Sequence, residues 1–252
     1  AGSNNFFGID VPKEYGGMGL DDYRYNTILI EESVKAENPG FGHSVQNDLV
    51  VPYLLRHTTE EQKKRWLPKI CSGETIGALA MTEPGGGSDV AAIKTLAKDM
   101  GDHFIVNGSK SFITNGLLAD LVIVACKTDS KAGAHGISLI ILERGMEGFD
   151  RGNKLDKIGQ FGQDTAELFF KDVKVPKENL LGEEGKGFYY MMESLPKERL
   201  SIAAGAIAVI EFVLDLTIQY CHDRKAFGQK IGSFQNSKFK LAEMTTEAEI
   251  GR

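Results

Sequence analysis

The chain has 252 residues, 42% hydrophobic and 25% charged, an ordinary globular composition with room for one large domain or two to three small ones. Its formal charge of -6, with both signs mixed along the chain, argues against a general nucleic-acid binder while leaving room for a local basic pocket for phosphates. The three cysteines (Cys71, Cys126, Cys221) show no CxxC spacing and the five histidines are scattered, so reduced thiols and no zinc site are expected.

In chain order, residues 1–78 read as a helical domain whose opening Ala1-Gly2-Ser3 looks like a cloning scar or a cut edge, and no signal peptide is visible. Tyr25, Ile28, Leu29, Glu32 and Val34 recur in a helical rhythm that Asn38-Pro39-Gly40 ends. A second helix opens on Thr58 or Thr59 as N-cap, with acids in its first turn, and stops at Gly73. From 79 to 181 the texture changes to short runs rich in Val, Ile and Phe: ALAMTE, HFIVNGSKSFITNG, DLVIVACKT, GISLIILER and TAELFFKDVKV. Met100-Gly101-Asp102, Asn107-Gly108, Asn115-Gly116 and Glu147-Gly148 read as turns, and Asn-Gly is a strong hairpin signal. With no helix between these strands, βαβ units are not expected, and an antiparallel sandwich or barrel is.

Helical texture returns over 182–252, giving an α+β multidomain chain. Glu198 to Cys221 is apolar nearly all round and is expected at the centre of a bundle. A further helix begins near Phe234. Two helices cannot cover each other's apolar faces, so more chain or another subunit is expected to supply the cover. No apolar run is read as long enough to span a bilayer, and no stable membrane insertion is expected.

MTEPGGGSDV resembles a phosphate loop, but Gly87 is followed by Ser88-Asp89 rather than Lys-Ser/Thr, and no βαβ unit follows. What remains is a tight turn with open backbone N–H groups and two hydroxyls, Thr82 and Ser88, able to hold an anion or a heteroaromatic edge.

AMTEPGGGSD followed by NGSKSFITNG, DTAELFFKDVKVPKENLLGEEGKGF, ERLSIAAG and DRKAFGQKIGSFQ resembles, in order and over essentially the whole chain, the acyl-CoA dehydrogenase family. The resemblance implies N-terminal helices, a middle β-domain and a C-terminal bundle. It implies bound FAD, a fatty acyl-CoA substrate, an electron-transfer flavoprotein as acceptor, and a homotetramer or homodimer in the bacterial cytoplasm or mitochondrial matrix. By the same resemblance, Leu79, Met81 and Thr82 line the flavin ring and Ser88 lies between flavin pyrophosphate and substrate. Phe112 stands beside the ring, Thr114 contacts flavin N5, and Arg224, Phe227 and Gln235 reach FAD. Each also has a plain local explanation: a core aromatic for Phe112, a solvated hydroxyl for Thr114, a helix-end cation for Arg224.

Glu198-Arg199 matches the glutamate-arginine pair that long-chain and isovaleryl-type members carry at the start of the central helix, where the glutamate is the base. Tyr189 and Pro196 match positions near the acyl wall, and Arg199 joins them and Ser88 on the substrate side. Pro196 departs from the isovaleryl aspartate, and Gln163-Asp164-Thr165 resembles the long-chain type. The local alternative is a first-turn glutamate stabilised by the helix dipole. The dipole would depress the pKa of Glu198 while burial under an acyl chain would raise it, and the balance is not readable from sequence. An acyl-CoA oxidase and a non-catalytic scaffold remain the rival functions.

Overall fold

The computed structural model describes residues 1–38 and 40–252, so the Asn38-Pro39-Gly40 stop includes one residue, Pro39, outside the described residues. Two compact units emerge: residues 1–26 with 40–198, and 27–38 with 199–252. Helix α1 (Arg24–Lys35) carries the first predicted periodicity.

In the first unit, β1 (Gly77–Ala80), β2 (Leu96–Asp99), β3 (His103–Thr114), β4 (Leu121–Lys127), β5 (Ile137–Glu143), β6 (Phe149–Lys154), β7 (Thr165–Pro176) and β8 (Leu180–Leu181) form one sheet. Its order is β6-β7-β3-β2-β4-β5-β8, with β1 also on β4. The expected antiparallel pairing needs one correction. β1 runs parallel to β4, from Gly77 opposite Leu121 to Ala80 opposite Val124, and β2 meets β4 in parallel at Leu96 and Lys127. Parallel neighbours need a long crossover; between β1 and β4 it is made of the β2–β3 hairpin, so no helical texture betrays it.

β4 and β5 are buried on both faces, which is why they read as continuous apolar runs. Leu121, Ile123, Ala125, Ile137, Leu139 and Ile141 enter one core, closed by α2 (Val51–His57) and α3 (Glu60–Ser72) through Tyr53, Leu54, Trp66, Leu67 and Ile70. Val122, Val124, Cys126, Ile140 and Leu142 enter a second, closed by Phe104, Val106, Ile113, Phe149, Leu168, Phe170, Val173 and Val175. The sheet thus folds over itself on one side and carries helices on the other.

α3 has the predicted ends. Thr59 is its N-cap in a reciprocal box with Gln62, and Gly73, at φ 78°, closes it in the left-handed region. Asn107-Gly108 does not turn the chain. It forms a bulge inside β3, where Gly108 lies so close to Thr95 that an added Cβ would sit 2.6 Å from its hydroxyl.

Before α2 the chain makes a π-helical turn, Val45–Val50, that buries three consecutive polar side chains. Gln46 Oε1 accepts from Gly77 N (2.7 Å) and its Nε2 donates to Thr75 O (2.8 Å). Asn47 accepts from Gly8 N and donates to Phe6 O, while Asp48 accepts from Asn26. One turn therefore anchors the first residues, Asn26 and the entry to β1.

His43 is buried beside this turn, and burial pushes its pKa down to about 4. The imidazole is neutral in the fold but protonates near pH 6.5 when unfolded, so its contribution is present above that value and is lost as pH falls toward 4. We expect about 3 kcal/mol of acid destabilisation from this group. Unfolding at pH 7 and pH 4 for wild type and His43→Gln should show the variant losing less.

α4 (Gly187–Asp223) begins in the first unit and continues in the second. The second unit adds a two-stranded hairpin, β9 (Lys225–Ala226) and β10 (Gln229–Lys230), and α5 (Gln235–Gly251). Arg252 ties it together, donating to Glu211 at 2.6 Å and to Glu31 at 2.9 Å. One expectation changes here. By length and composition α4 could cross a membrane, because from Leu200 to Leu214 its only charge is Glu211. Ile202, Val209, Val213, Leu216 and Tyr220 are exposed along it, the apolar surface for which further chain or another subunit is expected to supply the cover.

Candidate functional site

Glu198 does not open a helix. α4 starts at Gly187, so Glu198 lies about three turns inside, beyond the reach of the N-terminal dipole, and the first-turn explanation falls away. Its side chain is turned inward and is only 7% exposed. Tyr53, on α2 and 0% exposed, donates its hydroxyl to Glu198 Oε1 at 3.1 Å. Burial, with the Glu198 charge beside it, raises the Tyr53 pKa far above the ordinary tyrosine range, so the phenol stays a donor.

The same apolar core that contains Tyr53 takes in Leu79, at the end of β1, and Met81 packs against it. After Met81 the chain turns at Glu83-Pro84-Gly85-Gly86, closed by reciprocal backbone bonds of 3.1 Å between Glu83 and Gly86. Beyond it, Ser88 is exposed. A Cβ on Gly85 would meet nothing within 4 Å, and on Gly86 or Gly87 only ordinary contacts at 3.8 Å. The fold itself does not require those glycines; the open space over them suits a ligand brought close to the backbone.

The end of β3 lies against this loop. Ser111 N donates to Thr82 O at 2.9 Å, and Asn115 Nδ2 to Gly77 O at 3.0 Å. Between Lys110 and Ile113 the β3–β7 register shifts, and Phe112 takes φ +60° at the irregularity. A left-handed phenylalanine is strained, and its ring is 69% exposed, so it is no core aromatic. The bulge holds backbone strain and presents an apolar ring to solvent.

Two residues missed by sequence reasoning hold these loops together. Lys110, fully buried, donates its ammonium to Glu83 Oε1 and to Met81 O, both at 2.9 Å. Glu83 also accepts from Lys94 N at 2.6 Å and Thr95 N at 2.9 Å. Burial pushes the Glu83 carboxyl up, but bonds from Thr95 and Lys110 outweigh it and leave its pKa lowered. Burial holds the Lys110 ammonium below the usual lysine range, opposed by Glu83. The available signal was a lysine within the apolar alternation of β3 and a glutamate beside a glycine turn. Tyr53 was missed because it looks like any core aromatic in VVPYLL.

Tyr189 and Pro196 are exposed on α4 in the first unit. The Tyr189 ring lies 5.7 Å from His135. Arg199, Arg224, Phe227 and Gln235 belong to the second unit and are exposed. Phe227 and Gly228 form the β9–β10 turn, both with positive φ. Phe227 is 94% exposed at φ 52°, a second strained aromatic held out to solvent.

Three family models match in order: the acyl-CoA dehydrogenase N-terminal domain over residues 1–74, its middle domain over 78–173 and its C-terminal domain over 185–252. The chain belongs to the acyl-CoA dehydrogenase family. It is 47% identical over its whole length to a mitochondrial long-chain specific acyl-CoA dehydrogenase of Sus scrofa, covering 59% of that protein. It is 45% identical to a mitochondrial isovaleryl-CoA dehydrogenase of Oryza sativa subsp. japonica, covering all of this chain and 61% of that one. A solved acyl-CoA dehydrogenase from Geobacillus kaustophilus superposes with a TM-score of 0.97 at 52% identity, covering all of this chain and 66% of the other. The chain therefore spans about three fifths of the curated relatives it matches.

Proposed function

We propose that the full-length protein is an FAD-dependent acyl-CoA dehydrogenase that converts a medium- or long-chain fatty acyl-CoA to its trans-2-enoyl-CoA. The observation that carries this reading is Glu198: an inward-facing carboxylate, held by Tyr53, whose core also contains Leu79 at the edge of the glycine turn. Glu198 takes the α-proton of the thioester. Bound FAD would supply two-electron acceptance from the β-carbon. Thr82 and Thr114 offer hydroxyls, and Leu79, Met81 and Phe112 apolar surface, to the flavin ring; Ser88 stands at the open turn. Arg224, Phe227 and Gln235 are assigned to FAD as well, the guanidinium suiting a pyrophosphate. Tyr189, Pro196 and Arg199 are assigned to the substrate side.

Electrons then pass to an electron-transfer flavoprotein. A homotetramer or homodimer belongs to this reading, as do boundaries at 78/79 and 181/182 and a mitochondrial matrix or bacterial cytoplasmic setting. The apolar run of α4 is read as a bundle surface rather than a membrane span, because the same helix carries the buried Glu198 on its N-terminal part. The deciding experiment is anaerobic titration of the purified flavoprotein with acyl-CoAs of graded chain length. Bleaching of the flavin that recovers on adding electron-transfer flavoprotein is expected. No bleaching with any acyl-CoA would leave a scaffold, and rapid recovery in air with peroxide release would make it an oxidase.

Phe112 gives a prediction with opposite signs in two measurements. Phe112→Gly relieves left-handed strain of about 1 kcal/mol while losing little buried surface, so the flavin-free protein should melt at the same or a slightly higher temperature. Flavin retained per chain after dialysis should nevertheless fall, because the exposed ring is lost.

A further inference from the structure

We propose that Tyr53 is a positioning residue that sets both the direction and the charge state of Glu198. This rests on Glu198 being the base of the reaction proposed above. The phenol and the carboxylate meet at 3.1 Å, and both are buried. A hydrogen bond to an ionised carboxylate favours the ionised form, so the Tyr53 hydroxyl lowers the pH at which Glu198 becomes competent to take a proton. The same bond, made to Oε1 from a buried ring, fixes the direction in which the carboxylate is held. The ring is fixed in the core with Leu54, Leu67, Ile70 and Met191, so the hydroxyl is a rigid rather than a mobile donor.

Other ionisable groups stand nearby on both helices. Arg56 and His57 follow Tyr53 on α2, and Glu193 and Lys197 precede Glu198 on α4. His57 lies 3.9 Å from Glu193, and its ring stacks on Tyr190 at 3.9 Å. Burial lowers its pKa, so it is neutral near pH 7. Lys197 points to Asp10, 3.3 Å away. His57 thus faces Glu193 and Lys197 faces Asp10, whereas the phenol of Tyr53 is directed at the carboxylate.

The test uses the full-length holoenzyme with Tyr53→Phe, which keeps the ring and removes the donor. The Glu198 carboxyl is followed by infrared difference titration without substrate, its band identified by its loss in Glu198→Gln. The pH dependence of flavin reduction by acyl-CoA is followed by stopped flow. Removing a donor to a charged acceptor should move the carboxyl midpoint and the acid limb of the rate profile upward together by about one to two pH units, with KM little changed. Replacing Tyr53 by 3-fluorotyrosine, a stronger donor of nearly the same shape, should move both downward, and His57→Gln should move neither. A folded, flavin-loaded Tyr53→Phe with an unmoved midpoint overturns the proposal, as does a limb that follows His57 instead. If the phenylalanine variant does not fold, the fluorotyrosine variant decides alone, and an unmoved midpoint there overturns it. Loss of the base assignment is seen separately: Glu198→Gln would then reduce flavin at the wild-type rate whatever Tyr53 does.

Discussion

Glu198→Gln should slow flavin reduction by acyl-CoA about a thousandfold at saturating substrate, with KM held within about threefold. The amide has nearly the shape of the carboxylate and still offers an oxygen to the Tyr53 hydroxyl, so the burial seen at this position is preserved. What disappears is the basic oxygen. In the proposed role that group would act on the proton in flight rather than on the bound thioester, so the loss should fall on kcat. Glu198→Asp keeps the charge but withdraws it by one methylene, and a displacement of about 1 Å can cost on the order of a hundredfold. Stopped-flow reduction of the three proteins at one pH should therefore rank them Glu, Asp, Gln. Retained flavin and an unchanged melting temperature would exclude misfolding as the cause.

Lys110→Met should be the most destabilising single change in the middle sheet. Methionine fits the volume of the lysine stem but leaves the buried Glu83 carboxylate without its ammonium, and stranding one partner of a buried pair costs about 3–5 kcal/mol. For a protein of this size that is a melting shift on the order of 10 °C. The double variant Lys110→Met/Glu83→Gln removes the stranded charge and keeps an acceptor for Lys94 N and Thr95 N, so it should recover a good part of the loss. The pH dependence has a definite sign. Glu83 has a lowered pKa in the fold, so its stabilisation is present at neutral pH and is lost as pH falls through the carboxylate range. In Lys110→Met that acid-side loss should shrink, because the ammonium that helps depress the pKa is gone. Flavin content should fall with stability, since Lys110 also fastens Met81 O and thereby the turn beside Thr82.

How far sequence reached varies by element. β4 and β5 were legible because both faces are buried and every residue reports it, and α3 because Thr59, Gln62 and Gly73 spell its two ends. β2 and β6 were not, since LAKD and FDRGNK each send a single residue into the core. Asn107-Gly108 carried a hairpin signal into mid-strand, where the glycine serves the close approach of Thr95 instead. The start of α4 was read too late because Pro196 and the charges around it resemble a helix entrance, yet Pro196 lies inside the helix. At the site, glycines and hydroxyls were visible as a motif, and Glu198 as a lone acid before an apolar run. Their partners were hidden by distance along the chain: Lys110 is 27 residues from Glu83, and Tyr53 is 145 from Glu198. Local patterns record which face a residue presents; they do not record which remote residue it meets.

The carboxamide of Gln46 also limits how this protein can be dissected. It holds Gly77 at the first residue of β1, so the strand leading to the glycine turn is registered by a helical turn some thirty positions upstream. A fragment beginning at 79 would inherit half a strand and none of its anchor. Ribosomal synthesis reaches Gln46 before β1, whereas a circular permutant opened between the two would make the strand before the side chain that holds its first residue.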